Sequence, residues 1–264
     1  MADADALREP GVSGLPVSPD EQPLPPPAVA PPGDESVMSL VDHLSELRTR
    51  LFRVIITIAI TSAIGFYFAT PVRIFLQAPL GTMPLQVLGV GDAFMIQLKI
   101  AIVLGIILAM PVLLYQIWAF VAPGLTPQER KTVRPWIPLA LLFFTVGVVI
   151  AYVILPFALA FLFSFTDETL QAHPAAGQYF DFVTTLFLVF GLIMEFPILL
   201  YGLSRVGIVT SQRLAASRRM VILGIAIFAA VATPGGDLVS PFVLGLTMYI
   251  LFELTTFAIK RSGK

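Results

Sequence analysis

Six runs of apolar residues, separated by short polar segments, make up most of the chain after residue 50. They lie at about Leu51–Ala69, Phe94–Trp118, Trp136–Phe157, Phe182–Leu203, Met220–Thr233 and Leu238–Phe257. A helix needs about 20 residues to cross about 30 Å of hydrocarbon. The fifth run is shorter, and its basic flank and following turn favour a short span over a re-entrant segment. The pattern predicts an all-α polytopic membrane protein with about six transmembrane helices.

A helical periodicity precedes the first apolar run. Leucines recur at spacings of four, three and four, which places them on one stripe of a helix, at Leu40, Leu44, Leu47 and Leu51. Ser39, followed three residues later by Asp42, fits a capping box at the start of that helix. We therefore expect an amphipathic, interfacial helix that leads into the first span.

Residues 1–35 are rich in proline and acidic residues and hold almost no large apolar residue. Such a segment cannot bury enough surface to offset its ordering entropy, which predicts a disordered, solvated tail in preference to a docking segment. It also lacks the basic and apolar regions of a signal peptide. The expected organisation is a tail at 1–35, a six-span membrane domain at 36–260 and a short basic tail at 261–264.

Composition agrees with a membrane protein and excludes several kinds of site. The chain is 57% hydrophobic and 12% charged, whereas soluble domains are about 45–50% apolar and about 25% charged. It has no cysteine and two histidines, so we expect no disulfide, metal site or other cofactor. The motifs HExxH, GxSxG and GxxxxGK are absent, which argues against an enzyme. Nothing indicates a nucleic-acid partner.

Basic residues set the expected orientation. Of the sixteen lysines and arginines, thirteen flank the two ends of the membrane domain and the 119–134 and 205–219 loops. Arg73 and Lys99 are assigned to the other side. Because loops rich in lysine and arginine stay in the cytoplasm, both termini are predicted to be cytoplasmic and the protein to be a multi-pass protein of the cytoplasmic membrane.

Prolines occur within several of the apolar runs, at Pro111, Pro138, Pro156, Pro197 and Pro241. Each removes a backbone hydrogen bond and tends to kink a helix. Two outer loops are expected, at about 70–92 and 164–180. Kinked helices and long outer loops together predict a cupped bundle.

Glu195 lies near the middle of the fourth apolar run, in the sequence FGLIMEFP that ends at Pro197. A carboxylate at that depth is energetically costly and commonly marks a functional group or a buried partner. The functional interpretation is favoured. The alternative is a protonated side chain that hydrogen bonds to a carbonyl freed by Pro197 and only holds a kink.

Two further acidic residues are expected at the cytoplasmic surface. Glu46 lies on the amphipathic helix, and Glu129 is the acidic residue of the first cytoplasmic loop, next to Arg130 and Lys131. Alone, Glu129 would be a solvated surface charge. Because a carboxylate accepts a guanidinium in a bidentate geometry, the pair suggests a receptor surface for a ligand that carries arginines.

Several collinear motifs resemble the TatC family, the receptor subunit of the twin-arginine protein translocase. They are residues 43–51 (HLSELRTRL), 78–80 (APL), 111–123 (PVLLYQIWAFVAP), 195–197 (EFP), 233–237 (TPGGD) and 251–253 (LFE). The similarity covers about residues 38–260, with six spans and cytoplasmic ends as in that family. The sequence departs from that family at two places. The turn at 233–237 reads TPGGD, so Gly235 and Gly236 lengthen a turn that commonly reads Thr-Pro-Pro-Asp in the family. Pro241 lies where a polar residue is common.

The resemblance implies a function and a set of site residues. It implies a receptor for the twin-arginine signal peptides of folded cargo, which assembles with TatA-like and TatB-like single-span proteins in the lipid bilayer, associates with itself and uses the proton gradient. The paired arginines would meet Glu46 and Glu129, on a surface shaped by Arg48, Leu51 and Phe120. Glu195 would be the intramembrane polar group. Pro79, Thr233 and Asp237 would belong to the outer loops and to the surface where partner helices dock.

One alternative of a different class stays open at this stage. A proton-coupled secondary transporter could use Glu195 as its coupling carboxylate. Transporters of this size often contain paired internal repeats, and residues 40–150 do not match residues 151–260 convincingly.

Overall fold

The structure is a computed structural model, and it describes residues 40–124, 126, 130, 136–167, 172–205, 207, 209–233 and 237–261. Residues Leu44–Lys264 form one compact unit. The predicted tail at 1–35, the cap residue Ser39, the carboxylate Glu129, the glycines at 235 and 236, and residues 262–264 all lie outside the described residues.

Eight α-helices account for most of the described residues. They are α1 (Leu40–Gln77), α2 (Asp92–Val121), α3 (Trp136–Phe163), α4 (Ala176–Ile193), α5 (Phe196–Arg205), α6 (Ser211–Ala216), α7 (Arg218–Ala232) and α8 (Val239–Arg261). Short 3-10 turns follow α1 and α2, at Ala78–Leu80 and Ala122–Gly124. Within the described ranges there is no β-strand, and the single β-bridge pairs Gln86 with Ala175.

Length and composition identify five membrane-spanning segments in the described part of the chain, namely α1, α2, α3, the α4–α5 pair and α8. Helix α7, the short fifth run, has 15 residues and is about 22 Å long at 1.5 Å per residue. Large apolar side chains are exposed along these helices, for example Ile60 at 58% and Leu254 at 59%. A surface of this kind requires lipid as its solvent. The prediction of an all-α polytopic membrane protein is confirmed.

Helix boundaries differ from the predicted ones at the outer loops. Helix α1 continues through Pro71 to Gln77, and α4 begins at Ala176, so both loops are shorter than expected. The predicted amphipathic segment forms the first turns of α1 and is not a separate helix.

The prolines also divide into two groups. Pro111 and Pro156 lie inside helices as expected. Pro138, Pro197 and Pro241, however, occupy the first turns of α3, α5 and α8. The first turn of a helix has no backbone acceptor for its N–H groups, so a proline there removes no hydrogen bond. The expected interruption is therefore absent at Pro138 and Pro241, whereas the span Ala176–Arg205 does break immediately before Pro197.

Helix α4 lies at the centre of the core. Its side chains Val183 and Leu186 are fully buried, and Phe180 and Phe190 are 1% exposed. It packs on α2 and most extensively on α3. Close approach to α3 depends on Gly191, where an added Cβ would lie 2.6 Å from the ring of Phe144.

Helix α1 crosses α2 at a point made of small residues. A Cβ at Gly65 would lie 2.6 Å from the carbonyl oxygen of Ala101, and a Cβ at Gly105 would lie 2.6 Å from Cα of Ser62. At the same point the Thr61 hydroxyl donates to the carbonyl oxygen of Gly105 at 2.8 Å. Small residues let two membrane helices approach closely and make such backbone contacts.

Candidate functional site

An ion pair joins Glu46 and Arg50 at the arginine-rich end of α1. Arg50 Nε donates to Glu46 Oε1 at 2.9 Å, and Nη2 donates to the same oxygen. Both side chains are half-buried, with 18% of Arg50 and 19% of Glu46 exposed. Helical spacing of four residues places the two groups on one face of α1. Glu46 therefore already holds a guanidinium that belongs to the chain itself.

A third residue fixes that arginine. Arg50 Nη1 donates to Gln116 Oε1 at 3.2 Å, and Gln116 on α2 is 9% exposed. The contact spans 66 residues of sequence and joins α1 to α2 next to the carboxylate. The three side chains, which we call the Glu46–Arg50–Gln116 triad, form a polar cluster between two membrane helices.

Other residues predicted at this surface lie on the same two helices. Leu51 is 55% exposed, and Arg48 is also exposed, with its guanidinium 5.8 Å from the centroid of the Phe52 ring. Phe120, near the end of α2, is half-buried. Arg48 and Leu51, two and five residues after Glu46 on α1, thus leave a charged and an apolar side chain exposed near the ion pair.

The segment after α2 folds back on the end of that helix. The Arg130 guanidinium donates to the carbonyl oxygen of Ala122 at 2.8 Å, and the Arg130 amide donates to Thr126 at 2.9 Å. Glu129 lies outside the described residues, so its proximity to Glu46 stays a prediction.

Glu195 lies in the break between α4 and α5. Its amide donates to the carbonyl oxygen of Leu192 at 3.1 Å, and its own carbonyl accepts from the amides of Ile198 and Leu199, both at 3.1 Å. The residue is half-buried, and its Oε1 atom is buried without a hydrogen-bond partner among the described residues. The backbone of Glu195 thus forms the turn, and its carboxyl group is a buried polar group within an apolar span.

The residues predicted for partner docking have well-defined local partners. Thr233 is 7% exposed and its hydroxyl donates to the Ala229 carbonyl at 2.8 Å. Asp237 is 4% exposed and accepts the Ser240 amide at 2.5 Å, as an N-terminal cap of α8. Pro79 is half-buried in the 3-10 turn after α1. Thr233, next to the end of α7, and Asp237, next to the start of α8, are therefore buried and make local hydrogen bonds.

Comparison with known proteins decides the family. The model of the family described as Sec-independent protein translocase protein (TatC) matches residues 42–246. The chain is 35% identical to the protein of that name from Carboxydothermus hydrogenoformans, over 86% of this chain and 95% of that one. Identity to the Azotobacter chroococcum protein is 37%, over 86% and 91% of the two chains. The chain belongs to the TatC family.

A crystal structure supports the same conclusion for the fold. The twin arginine translocase receptor TatC, crystallised in DDM, superposes with a TM-score of 0.74 at 34% identity, over 82% of this chain and 99% of that chain. The chain is therefore a TatC-type component of a protein translocase, a membrane protein and not an enzyme. This confirms the resemblance seen in the sequence motifs.

The sequence patterns did not predict a role in the site for two residues of the triad, Arg50 and Gln116. Arg50 was counted only as a basic residue that sets orientation, although its spacing of four from Glu46 signals an ion pair on a helix. Gln116 gave a weaker signal, a polar residue within an apolar run. Its contact with Arg50 depends on the α1–α2 packing, which the TatC motifs alone do not specify.

Proposed function

We propose that this TatC protein is the signal-peptide receptor and core assembly subunit of the twin-arginine translocase. In this proposal it resides in the cytoplasmic membrane with both termini in the cytoplasm, and folded proteins are exported at the expense of the proton gradient. TatA-like and TatB-like proteins, and further copies of the chain, assemble around it. The arginine-rich end of α1 is then the cytoplasmic end.

The observation that carries the receptor proposal is the ion pair at Glu46. A half-buried carboxylate at a membrane surface is a site that binds guanidinium groups. Arg50 occupies it in the absence of a ligand. We infer that an arginine of the signal peptide displaces Arg50 and takes over the contact with Glu46, while Glu129 receives the second arginine.

The surroundings of Glu46 suit the rest of a signal peptide. Leu51 and Phe52 are 55% and 54% exposed on α1, where the membrane begins. The apolar segment of a signal peptide would lie against such residues, because burial of apolar area at the interface adds to the charge-assisted contacts.

Glu195 is assigned a role within translocation. Its carboxyl group lies at the α4–α5 break, within the span Ala176–Arg205. A polar group there could contact the inserted peptide or a partner helix. The transporter alternative, in which Glu195 couples proton flow to solute uptake, has no observation of its own in its favour, and membership of the TatC family argues for translocation.

The test is cross-linking of a radiolabelled twin-arginine signal peptide to membranes that contain Glu46→Gln, Glu129→Gln or the double variant. Because Arg50 already occupies Glu46, we expect Glu46→Gln to weaken cross-linking modestly, Glu129→Gln to weaken it strongly and the double change to abolish it. Glu253→Gln is the matched control, because it removes the same charge from a carboxylate that pairs with Arg218 at 2.9 Å. Undiminished cross-linking to both single variants would remove these residues from the site.

A further inference from the structure

A cleft of about 470 Å³ lies at the far end of α1 from Glu46. It opens between the end of α1, the loop 81–91, the start of α2 and the start of α4. Arg73, Gln77 and Gln97 supply its polar groups, and the walls are apolar, with Val87 and Phe94 at the rim. None of these residues belongs to the proposed signal-peptide site.

Backbone hydrogen bonds hold the walls of this cleft together. The Gln86 amide donates to Pro174 at 3.0 Å, and the Ala176 amide donates back to the Gln86 carbonyl at 2.7 Å. The Tyr179 hydroxyl, on a residue that is 5% exposed, donates to the Leu76 carbonyl at 2.5 Å. Three hydrogen bonds thus join the loop, the end of α1 and the start of α4. The walls of the cleft are therefore held in place by the fold.

The cleft carries a positive charge that is not neutralised by the described residues around it. Arg73 is half-buried and has no ion-pair or hydrogen-bond partner there. The nearby Lys99 is paired with Asp181, and Asp92 accepts the Gly89 amide at 2.7 Å. Among the described residues that line the cleft, none is acidic. A half-buried guanidinium in this setting favours an anion.

The position of Arg73 along α1 sets its depth. It follows Arg53 by 20 residues on one helix, about 30 Å at 1.5 Å per residue, which equals the thickness of the hydrocarbon core. With Arg53 at one interface, Arg73 lies at the headgroup layer of the opposite leaflet. The rim residues Phe94 and Val87 are 61% and 56% exposed, and at that depth they face acyl chains.

We propose that this cleft binds the headgroup of an anionic glycerophospholipid from the leaflet opposite to Glu46. The phosphodiester accepts hydrogen bonds from the Arg73 guanidinium. Gln77 and Gln97 can bond to the hydroxyls of a polyol headgroup such as glycerol. A headgroup with an ammonium group finds no carboxylate in the lining, so phosphatidylglycerol is favoured over phosphatidylcholine. The bound lipid fixes the 81–91 loop to the membrane surface.

The experiment uses the purified full chain in phosphatidylcholine nanodiscs that contain a small fraction of photoactivatable phosphatidylglycerol. Cross-linked peptides are mapped by mass spectrometry, and we expect labelling within 85–97. Arg73→Gln should lower this labelling by about tenfold, the loss of one charge-assisted contact, and Arg73→Lys should retain part of it. Arg213→Gln, at an exposed arginine on α6, is the control and should label normally.

Several results would overturn the proposal. Equal labelling of folded Arg73→Gln, or equal labelling by a phosphatidylcholine probe, would exclude a specific anionic lipid. Displacement of the lipid by inorganic phosphate would reveal a site for soluble anions instead. If Arg73→Gln does not fold, Gln77→Leu is measured in its place. We expect a severalfold loss of labelling in that variant, and unchanged labelling would contradict the proposal. None of these outcomes affects the receptor proposal, because signal-peptide cross-linking at Glu46 is measured separately.

Discussion

Replacing Arg50 with glutamine removes the internal guanidinium from Glu46 and keeps a polar, uncharged side chain at that position. If a signal-peptide arginine must displace Arg50, the variant should bind a twin-arginine peptide more tightly than the parent chain. The opposite expectation follows if the ion pair only stabilises α1. The change therefore separates an occupied receptor site from a structural salt bridge.

The size of the effect follows from the contacts that are lost. Hydrogen bonds to charged groups contribute about 1.5–3 kcal/mol, which corresponds to a factor of about 10–150 in a dissociation constant. The two side chains keep 18% and 19% of their surface exposed, so solvent weakens the pair and the lower end applies. We expect Arg50→Gln to lower the dissociation constant by about tenfold.

The assay is fluorescence anisotropy of a labelled signal peptide with the purified chain in phosphatidylcholine nanodiscs. Arg53→Gln is the matched control, because it removes the same charge from an exposed position on the same helix. Exposed charges are screened by salt, so its gain should be about twofold or less. In a Glu46→Gln background the gain from Arg50→Gln should vanish. Equal affinities of the Arg50→Gln and Arg53→Gln proteins, with melting temperatures unchanged, would refute the displacement argument.

Three further predictions concern packing and orientation. Gly105→Val places branched carbons against the backbone of α1 and should cost about 1–3 kcal/mol by overpacking, seen as a lower melting temperature, whereas Gly224→Ala, with open space around it, should show no loss. Tyr179→Phe removes a buried hydrogen bond and should cost about 0.5–1.5 kcal/mol, and an unchanged melting temperature would contradict that contact. Because the chain has no cysteine, Leu88→Cys should react with an impermeant maleimide from outside intact cells, and Gln212→Cys only after permeabilisation; the reverse pattern would invert the proposed topology.

The apolar runs predicted the helices of the membrane domain well because lipid imposes the same requirement on each span. A segment in hydrocarbon must satisfy its backbone internally and present apolar side chains outward, and both demands are visible in composition. The start of α4 was missed because residues 176–181 (AGQYFD) include polar side chains. There, tertiary contacts decide the structure, as Tyr179 is buried against α1 and the Ala176 amide pairs with Gln86.

The extension of α1 was missed for a related reason. A proline inside a helical pattern usually marks its end, but Pro71 removes only the bond to the carbonyl four residues earlier. That residue, Tyr67, is 81% exposed, so the carbonyl lies on a side of α1 that is not packed in the core. The helix therefore continues to Gln77, and this extension of about two turns brings Arg73 and Gln77 to the cleft.

The candidate site shows where motif reasoning ends and geometry begins. The motifs located Glu46 and the surrounding surface, because a charged residue at the membrane boundary is conspicuous among apolar ones. They did not indicate that Arg50 is held in place beside Glu46, because the contact that holds it comes from Gln116, 66 residues away in the sequence. An occupied carboxylate changes the expected energetics of recognition. The net affinity for a peptide is then the difference between two arginine–carboxylate contacts, so a single arginine gains little over Arg50, and discrimination depends on the second arginine and its own carboxylate.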